Sequence, residues 1–437
     1  MGAALRITLI ALGTRGEIQP YVALGAGLRA AGHAVRLATH GDYAGLALGH
    51  GLGFYAIRGE LRALLARAEA PAIMDPQRHP LGFLSHGLAA LRPLLRGWIE
   101  DLRAASRDSD LIVSSEMGLY LGLHVAELAG IPLLRAFIAP KTATAAGASI
   151  HAPDWPGGLP GRRAYNRATH AAVGAVVRLA ARALFGGLRR ELALEPLPWR
   201  GDWLIGDGPV IYGFSPLLAP PAPDWPANHH VTGAWVLGGQ FGWTPPPELA
   251  RFLEAGEPPL AIGFSSVREA DPAGLARLAA DALGAAGLRG VLLGGWSGLP
   301  APERGSRLIG LPQAPHEWLY PRMAAIVHHG GAGATAAALR AGKPALAVPF
   351  NGDQPFWGRR IAAVGAGPPP LPRRRLSAER LAGRMAWLAS DHGVRAAAAG
   401  LGERMRREDG VAAAVALIEH YAADRTGITG ILAGQTL

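Results

Sequence analysis

Ala324-Ala325-Ile326-Val327-His328-His329-Gly330-Gly331-Ala332-Gly333-Ala334-Thr335 is the stretch on which the fold reading turns. A short apolar run leads into two histidines, then glycines, then the start of a helix expected over Thr335–Ala341. Gly342 and Pro344 end that helix, and Ala345–Phe350 reads as the following strand. Glycines let a ligand approach the backbone, and the unpaired N–H groups of a helix start favour an anion. A diphosphate is the natural guest, with Thr335 offering a hydroxyl and His328 or His329 a donor. The competing reading is a plain glycine turn whose histidines only fill the strand end. The stretch fits neither the phosphate-loop pattern ending in Gly-Lys-Ser/Thr nor GxGxxG in its usual place.

The N-terminus repeats the strand–turn–helix–strand pattern. Arg6–Gly13 is an apolar run of strand length, as in a parallel sheet covered on both faces. A turn over Gly13–Gln19 follows, Pro20 suits a first helical position, and Tyr21–Ala31 reads as helix. Gly32 stops it and Val35–His40 is the next strand. Two such units far apart in the chain predict an α/β protein with two Rossmann-like domains. Further strands are expected at Leu111–Ser114, Leu133–Ile138, Leu260–Phe264 and Val291–Leu293, with a helix over Leu275–Ala286. Pro216–Pro247, rich in Pro, Trp and Gly, reads as the interdomain connection. The domain boundaries expected are 1–225, a linker over 226–256, 257–420, and a tail over 421–437. Tyr165–Leu194 is helical, either an elaboration shaping an acceptor site or an ordinary packing element.

Composition narrows the chemistry. The 437 residues are 49% hydrophobic and 17% charged, and their 60 glycines and 36 prolines fall at turns rather than in repeats. Cysteine is absent, which removes disulfides, thiolate metal sites and cysteine nucleophiles together. The 15 histidines show no metal-ligand spacing, so no metal site is expected. Asp108-Ser109-Asp110 has the form of an acidic metal motif, but it reads better as polar residues opening a strand. Ser114 and Ser115 lack a nucleophile elbow, and Glu116 ends the same strand. The net charge is +10, carried almost wholly by arginine, with lysine only at Lys141 and Lys343. No nucleic-acid signature accompanies the Arg373-Arg374-Arg375, Arg189-Arg190 or Arg162-Arg163 clusters. Attraction to an anionic membrane is the functional alternative to compositional bias. The apolar stretch Ala171–Leu188 is interrupted by Arg178 and Arg182, which disfavours a transmembrane span. A cytoplasmic protein, with contact at the inner face of the membrane, is the expectation.

Pro349-Phe350-Asn351-Gly352-Asp353-Gln354-Pro355-Phe356-Trp357 follows the last of these strands, at the carboxyl edge where open α/β sheets bind ligands. Asp353 and Gln354 offer adjacent groups suited to a pair of sugar hydroxyls. With this segment beside HHGGAGAT, the chain resembles the GT-B nucleotide-sugar glycosyltransferases, in the branch of sterol glucosyltransferases and glycopeptide-antibiotic glycosyltransferases. PFNGDQPFWGRR, APHEWLYPR, VTGAWVL, PPPELARFLEAGEPPLAIGFSSV and GTRGEIQPYVALGAGL resemble further signatures of that branch, in the same order. The likeness runs from about Leu5 to about Leu388 and is weakest between Ala143 and Leu204.

The resemblance implies two Rossmann-like domains facing across a cleft. It implies that His328, Gly331, Gly333 and Thr335 surround the diphosphate of a nucleotide sugar, with Ser266 opposite, while Asp353 and Gln354 hold the hexose. Gln313 stands at the position of a donor-signature glutamine, and Gly310 where plant relatives carry a base-stacking tryptophan. Glu17 stands where the branch usually has the aspartate that deprotonates the acceptor. A carboxylate there is ionised at neutral pH and can take that proton; a helix-capping acid is the plainer reading. Ser265 replaces a usual glycine and Ala334 a usual threonine. The implied reaction is inverting, metal-independent transfer of a hexose, first of all glucose from UDP-glucose, with no other cofactor. The implied acceptor is a lipophilic alcohol such as a sterol, hopanoid or polyketide. Two other readings stand beside it: a non-catalytic GT-B homologue that binds a nucleotide or activates a partner, and an enzyme acting on a polyprenyl-linked sugar.

Overall fold

The computed structural model describes residues 4–59, 88–199, 204–238, 243–264, 271–295 and 307–424. The chain divides into two compact units. One comprises 1–216, 220–236 and 409–437, the other 217–219 and 237–408.

The first unit is built on a seven-stranded sheet. Its strands are β1 (Arg6–Ile10), β2 (Ala34–His40), β3 (Gly53–Ile57), β4 (Leu111–Ser114), β5 (Leu133–Phe137), β6 (Val210–Tyr212) and β7 (His229–Val231). They lie in the order β3-β2-β1-β4-β5-β6-β7, and every pairing is parallel. Its helices include α1 (Arg15–Ala30), α2 (Leu88–Ala105), α3 (Glu116–Ala129) and α4 (Arg162–Glu191). Buried aliphatic residues such as Ile7, Leu9, Val113 and Leu134 fill both faces of the central strands, the pattern of a parallel sheet covered by helices.

The second unit holds five parallel strands: β8 (Leu260–Gly263), β9 (Gly290–Leu293), β10 (Leu308–Leu311), β11 (Ile326–His328) and β12 (Ala345–Ala347), in the order β10-β9-β8-β11-β12. Its helices include α5 (Pro272–Ala285), α6 (Ala332–Arg340), α7 (Gln354–Ala363), α8 (Ala378–Ser390) and α9 (His392–Arg406). Ile262, Leu292, Val327 and Leu346 from the strands pack with Leu275, Ala279 and Leu283 of α5 and Leu381 and Met385 of α8 into one core. Both sheets therefore carry the doubly wound strand order, with a switch point between β1 and β4 in the first and between β8 and β11 in the second. Ligands of such sheets sit outside the carboxyl ends at that point.

Four expectations from sequence need correction. Helix α1 begins at Arg15, not at Pro20, because Thr14 and Glu17 close its first turn; Pro20 sits inside it. The glycine turn is also shorter than expected, since α6 begins at Ala332 rather than Thr335. Finally, α10 (Gly410–Asp424) belongs to the first unit, although the expected second domain ran to residue 420. There His33 Nε2 lies 3.1 Å from Glu419 Oε1, and His230 Nε2 lies 2.7 Å from the Tyr421 hydroxyl. A Cβ at Gly27 would meet Val411 Cγ1 at 2.3 Å, so α1 and α10 approach closely through that glycine. The expected linker, 226–256, is likewise divided, as its β7 closes the first sheet while residues from 237 onward belong to the second unit.

Helix α4 is fixed by a buried ion pair. Arg189, 1% exposed, donates from Nη1 and Nη2 to the two Glu127 carboxylate oxygens at 2.9 and 3.0 Å, joining α4 to α3. Removing the arginine leaves a desolvated carboxylate, a loss of about 3–5 kcal/mol. Arg189→Met should therefore lower the urea midpoint markedly. Double replacement with Glu127→Leu should recover much of the loss; equal midpoints for wild type and Arg189→Met would contradict the pairing.

Candidate active site

In the second unit the site grows from the end of β11. His328 pairs in register with Gly263 of β8 and Ala347 of β12, so small residues on both neighbouring strands leave room for its ring. The ring is buried, and its Nδ1 accepts the Gly330 N–H at 2.9 Å. Burial, with His329 and His316 nearby, pushes its pKa down to about 3, so the imidazole is neutral and Nε2 carries the proton. That Nε2–H is buried and has no partner. His329, its pKa lowered by burial to about 4, has an unpaired Nδ1, and the buried Thr335 hydroxyl is unpaired as well. Among the described residues eight buried side-chain atoms lack a partner, and three of them lie on this one turn. Unpaired buried polar atoms are costly, and such a concentration leaves donors and an acceptor that a ligand could satisfy.

The turn itself requires glycine. Gly330 has φ +91°, and a Cβ there would also meet the Gln354 carbonyl oxygen at 2.8 Å. A Cβ at Gly331 would meet His329 Nε2 at 2.4 Å. Gly331 is the N-cap of α6 and offers no side chain to it. The amides of Ala332, Gly333 and Ala334 thus open the helix without a side-chain acceptor, beside the His328 donor and the Thr335 hydroxyl.

The segment after β12 lies against this turn through the contact of Gly330 with Gln354. Gln354 is spent largely on its own loop: its Oε1 accepts the Phe350 and Asn351 amides at 2.8 and 3.2 Å, and Nε2 donates to Asn351 Oδ1 at 3.2 Å. Asp353 accepts the indole N–H of buried Trp357 at 2.8 Å through Oδ2, which fixes the carboxylate at the N-terminus of α7. Gln313 is exposed and follows β10, at the edge of the sheet farthest from β11 and β12. Its loop turns back, because His316 stacks on Tyr320 with centroids 4.3 Å apart and lies near enough to His328 to depress its pKa. Ser266 and the neighbouring Ser265 lie outside the described residues.

In the first unit, Glu17 accepts the Thr14 N–H through Oε2 at 2.7 Å, the acidic half of a capping box. Gly13, at φ +123°, makes that fold-back possible, since a Cβ there would meet Glu17 Oε2 at 2.2 Å. The capping role weighed from sequence is therefore present, and it places the carboxylate immediately beyond β1. Across the switch point, Ser115 caps α3 by accepting the Gly118 N–H at 3.0 Å and accepts the Leu12 N–H at 3.4 Å. Glu116 follows and forms an ion pair with Lys141, whose Nζ also lies 3.2 Å from His151 Nε2. Sequence reasoning singled out neither Lys141 nor His151 as site residues; the rarity of lysine in an arginine-rich chain was the available signal. The acids of Asp108-Ser109-Asp110 sit at the amino edge instead. There Asp108 pairs with Arg36 at 2.7 Å and Asp110 with Arg6 at 2.8 Å, which gives the motif a structural role. A cavity of about 320 Å³ lies elsewhere in this unit, lined by Thr144, Arg167, His170, Gly174, Arg178 and Asp224.

Comparison with known proteins bears on both units. The model of the glycosyltransferase family 28 N-terminal domain matches residues 7–148, and that of the erythromycin biosynthesis protein CIII-like C-terminal domain matches residues 305–416. The chain is 33% identical to a sterol 3-beta-glucosyltransferase of Arabidopsis thaliana, covering 97% of this chain and 67% of the relative. It is also 33% identical to a sterol 3-beta-glucosyltransferase of Cryptococcus neoformans var. neoformans, covering 95% of this chain but 27% of the relative. The chain thus spans less than a third of the length of the fungal relatives it matches. Among solved structures, the glycotransferase of kitacinnamycin superposes with a TM-score of 0.70 at 19% identity, covering 96% of this chain and 99% of that one. That likeness shows the GT-B fold.

The buried histidines generate a pH prediction. Their pKa values in the folded chain, about 3 and 4, lie below the 6.5 of an unfolded histidine, so the unfolded chain binds protons first. Their share of stability is complete above pH 6.5 and is lost as pH falls through 4 to about 3. In urea titrations, His328→Gln should show a shallower fall of midpoint with acidification than wild type. Superimposable pH profiles would contradict the neutral, buried imidazole.

Proposed function

The chain belongs to the nucleotide-sugar glycosyltransferases of the sterol 3-beta-glucosyltransferase branch, and from that premise we propose that it transfers a hexose to the hydroxyl of a lipophilic alcohol. The first candidates are glucose from UDP-glucose as donor and a sterol as acceptor. The observation that carries the donor half is the partnerless Nε2–H of His328 beside the uncapped start of α6. A diphosphate oxygen would accept from His328, from the Thr335 hydroxyl and from the amides of Ala332 and Gly333. Asp353, held by Trp357, would accept hydroxyl protons of the sugar.

In the proposed inverting reaction the acceptor oxygen attacks the anomeric carbon from the face opposite the diphosphate. The new C–O bond forms as the bond to phosphate breaks. The acceptor proton goes to the Glu17 carboxylate, and the bonding electrons leave with the diphosphate. Charge growing on that group meets donors already in place, a term worth about 3–4 kcal/mol per well-placed donor. The capping bond from Thr14 holds Glu17 in one position at the end of β1, which suits a base that must meet a single hydroxyl. The donor side needs no cofactor other than the nucleotide sugar in this reading.

Two measurements test it. Isothermal titration with UDP and UDP-glucose should show binding by wild type, and Asp353→Ala should remove the advantage of the sugar nucleotide over UDP while leaving UDP affinity nearly unchanged. In a product assay with labelled UDP-glucose and sterols, Glu17→Gln should lower kcat by about a hundredfold to ten-thousandfold. UDP binding should persist in that variant. Nucleotide binding without glycoside product, and without effect of Glu17→Gln, would favour the non-catalytic homologue; absence of binding to any nucleoside diphosphate would remove the donor site.

A further inference from the structure

Helix α4 is 30 residues long, and its apolar central stretch is only 17% buried. The exposed positions Ala168, Ala172, Val176, Leu179, Ala183 and Gly187 recur at three- and four-residue spacing, which places them on one face of the helix. This outer stripe carries no charge along its length. Val176 and Leu179 are 55% and 60% exposed. Leu159 just before the helix, and Trp199 just after it, are exposed as well. Four of the seven large apolar side chains exposed among the described residues therefore gather on and around α4.

The charges near this stripe are basic up to the last residue of α4, Glu191, which lies 3.5 Å from Arg96. Between Asp154 and Glu191 the sequence contains no acidic residue, yet it holds Arg162, Arg163, Arg167, Arg178, Arg182, Arg189 and Arg190. Arg162 and Arg163 stand exposed at one end of the stripe and Arg190 at the other. Arg182 lies over the Trp199 ring, 3.5 Å from its centroid, so an exposed indole and a guanidinium form one amphipathic group beside the helix. The opposite face is fastened to the unit by Asn166, Phe185, Leu188 and the Arg189–Glu127 pair.

We propose that α4 is a membrane-docking surface that lies flat in the headgroup region of an anionic bilayer. The apolar stripe and Trp199 enter the acyl boundary, and the terminal arginines meet lipid phosphates. Spanning is ruled out by the buried face, which cannot leave the unit without exposing Phe185 and breaking the pair of Arg189. A second copy of the chain is a poor occupant, because a twofold pairing of this face would bring its acid-free arginine rows together. A bilayer offers the complementary charge. The inner wall of α4, through Arg167, His170, Gly174 and Arg178, lines the cavity of the first unit. The surface itself does not depend on the transfer reaction.

The test is co-sedimentation of the full chain with vesicles of phosphatidylcholine alone and of phosphatidylcholine mixed with phosphatidylglycerol. The protein should bind the mixed vesicles and release partly as salt rises. Val176→Asp combined with Leu179→Asp should lower the partition by about tenfold or more, with melting temperature and UDP affinity unchanged. Arg162→Gln, Arg163→Gln and Arg190→Gln together should weaken binding to the mixed vesicles and flatten its salt dependence. Equal binding by wild type and the aspartate variant, no binding to anionic vesicles, or a dimer dissolved by the aspartate variant would each overturn the proposal. Sugar transfer to a water-soluble alcohol without vesicle binding would remove the docking surface and leave the reaction; vesicle binding without any transfer would do the reverse.

Discussion

One hydrogen bond organises the donor side of this molecule: the Gly330 amide donating to Nδ1 of a buried, neutral His328. It fixes the tautomer, so that the remaining proton sits on Nε2, and it fixes the ring at the end of β11. The bond exists only because Gly330 takes a left-handed conformation, and the close approach of the Gln354 carbonyl leaves no space for a Cβ. That approach in turn depends on the loop after β12, which Gln354 closes by accepting two backbone amides. A single geometric requirement thus couples the strand end, the glycine turn and the loop carrying Asp353. Pre-set donors of this kind cost little reorganisation when charge appears.

The two units use the same strand–turn–helix device to opposite ends. In the first, Glu17 folds back over Gly13 and caps α1 by accepting the Thr14 amide, so the anion that the helix start favours is part of the protein. In the second, the corresponding residues are glycine and alanine, and the helix start has no side-chain acceptor. The first turn is therefore occupied by its own carboxylate, whereas the second is built to receive a foreign one, or a phosphate. This asymmetry, more than the presence of two similar folds, is what supports the proposal of nucleotide binding by the second unit and proton acceptance by the first.

Much of this arrangement was legible because parallel sheets announce themselves. β2, β4, β5, β8 and β9 lie within a residue or so of the apolar runs expected, since strands buried on both faces have little polar sequence to blur them. The strands without such a signal are different in kind. β7 reads His-His-Val in a proline-rich segment, β6 has only three residues, and β10 contains Gly310. Pairing with a neighbour, not local propensity, makes them strands. The attachment of α10 to the first unit was illegible for a related reason: it rests on His33 with Glu419 and His230 with Tyr421, contacts between residues remote in sequence. At the site, residue types and spacing pointed to the His328 turn and to Asp353. They could not show that Gln354 is consumed by its own loop, or that Lys141 pairs with Glu116.

Arginine accounts for nearly all the positive charge, yet its placement is not uniform in purpose. Arg6 and Arg36 neutralise Asp110 and Asp108 at the amino edge of the first sheet, and Arg189 neutralises Glu127 inside it. A compositional bias toward arginine would account for these cations not being lysines, but it would not account for the distribution of acids. Between Asp154 and Glu191, the last residue of α4, no acid occurs, while the cations persist and the exposed side chains become apolar. Compositional drift would be expected to leave acids scattered through a solvated helix, because they favour its solubility and its i,i+4 pairing. Their absence between Asp154 and Glu191, over a long helix with an exposed apolar stripe, is the part of the charge pattern that the proposed docking explains, since a surface of phosphates would satisfy the cations and the apolar stripe together.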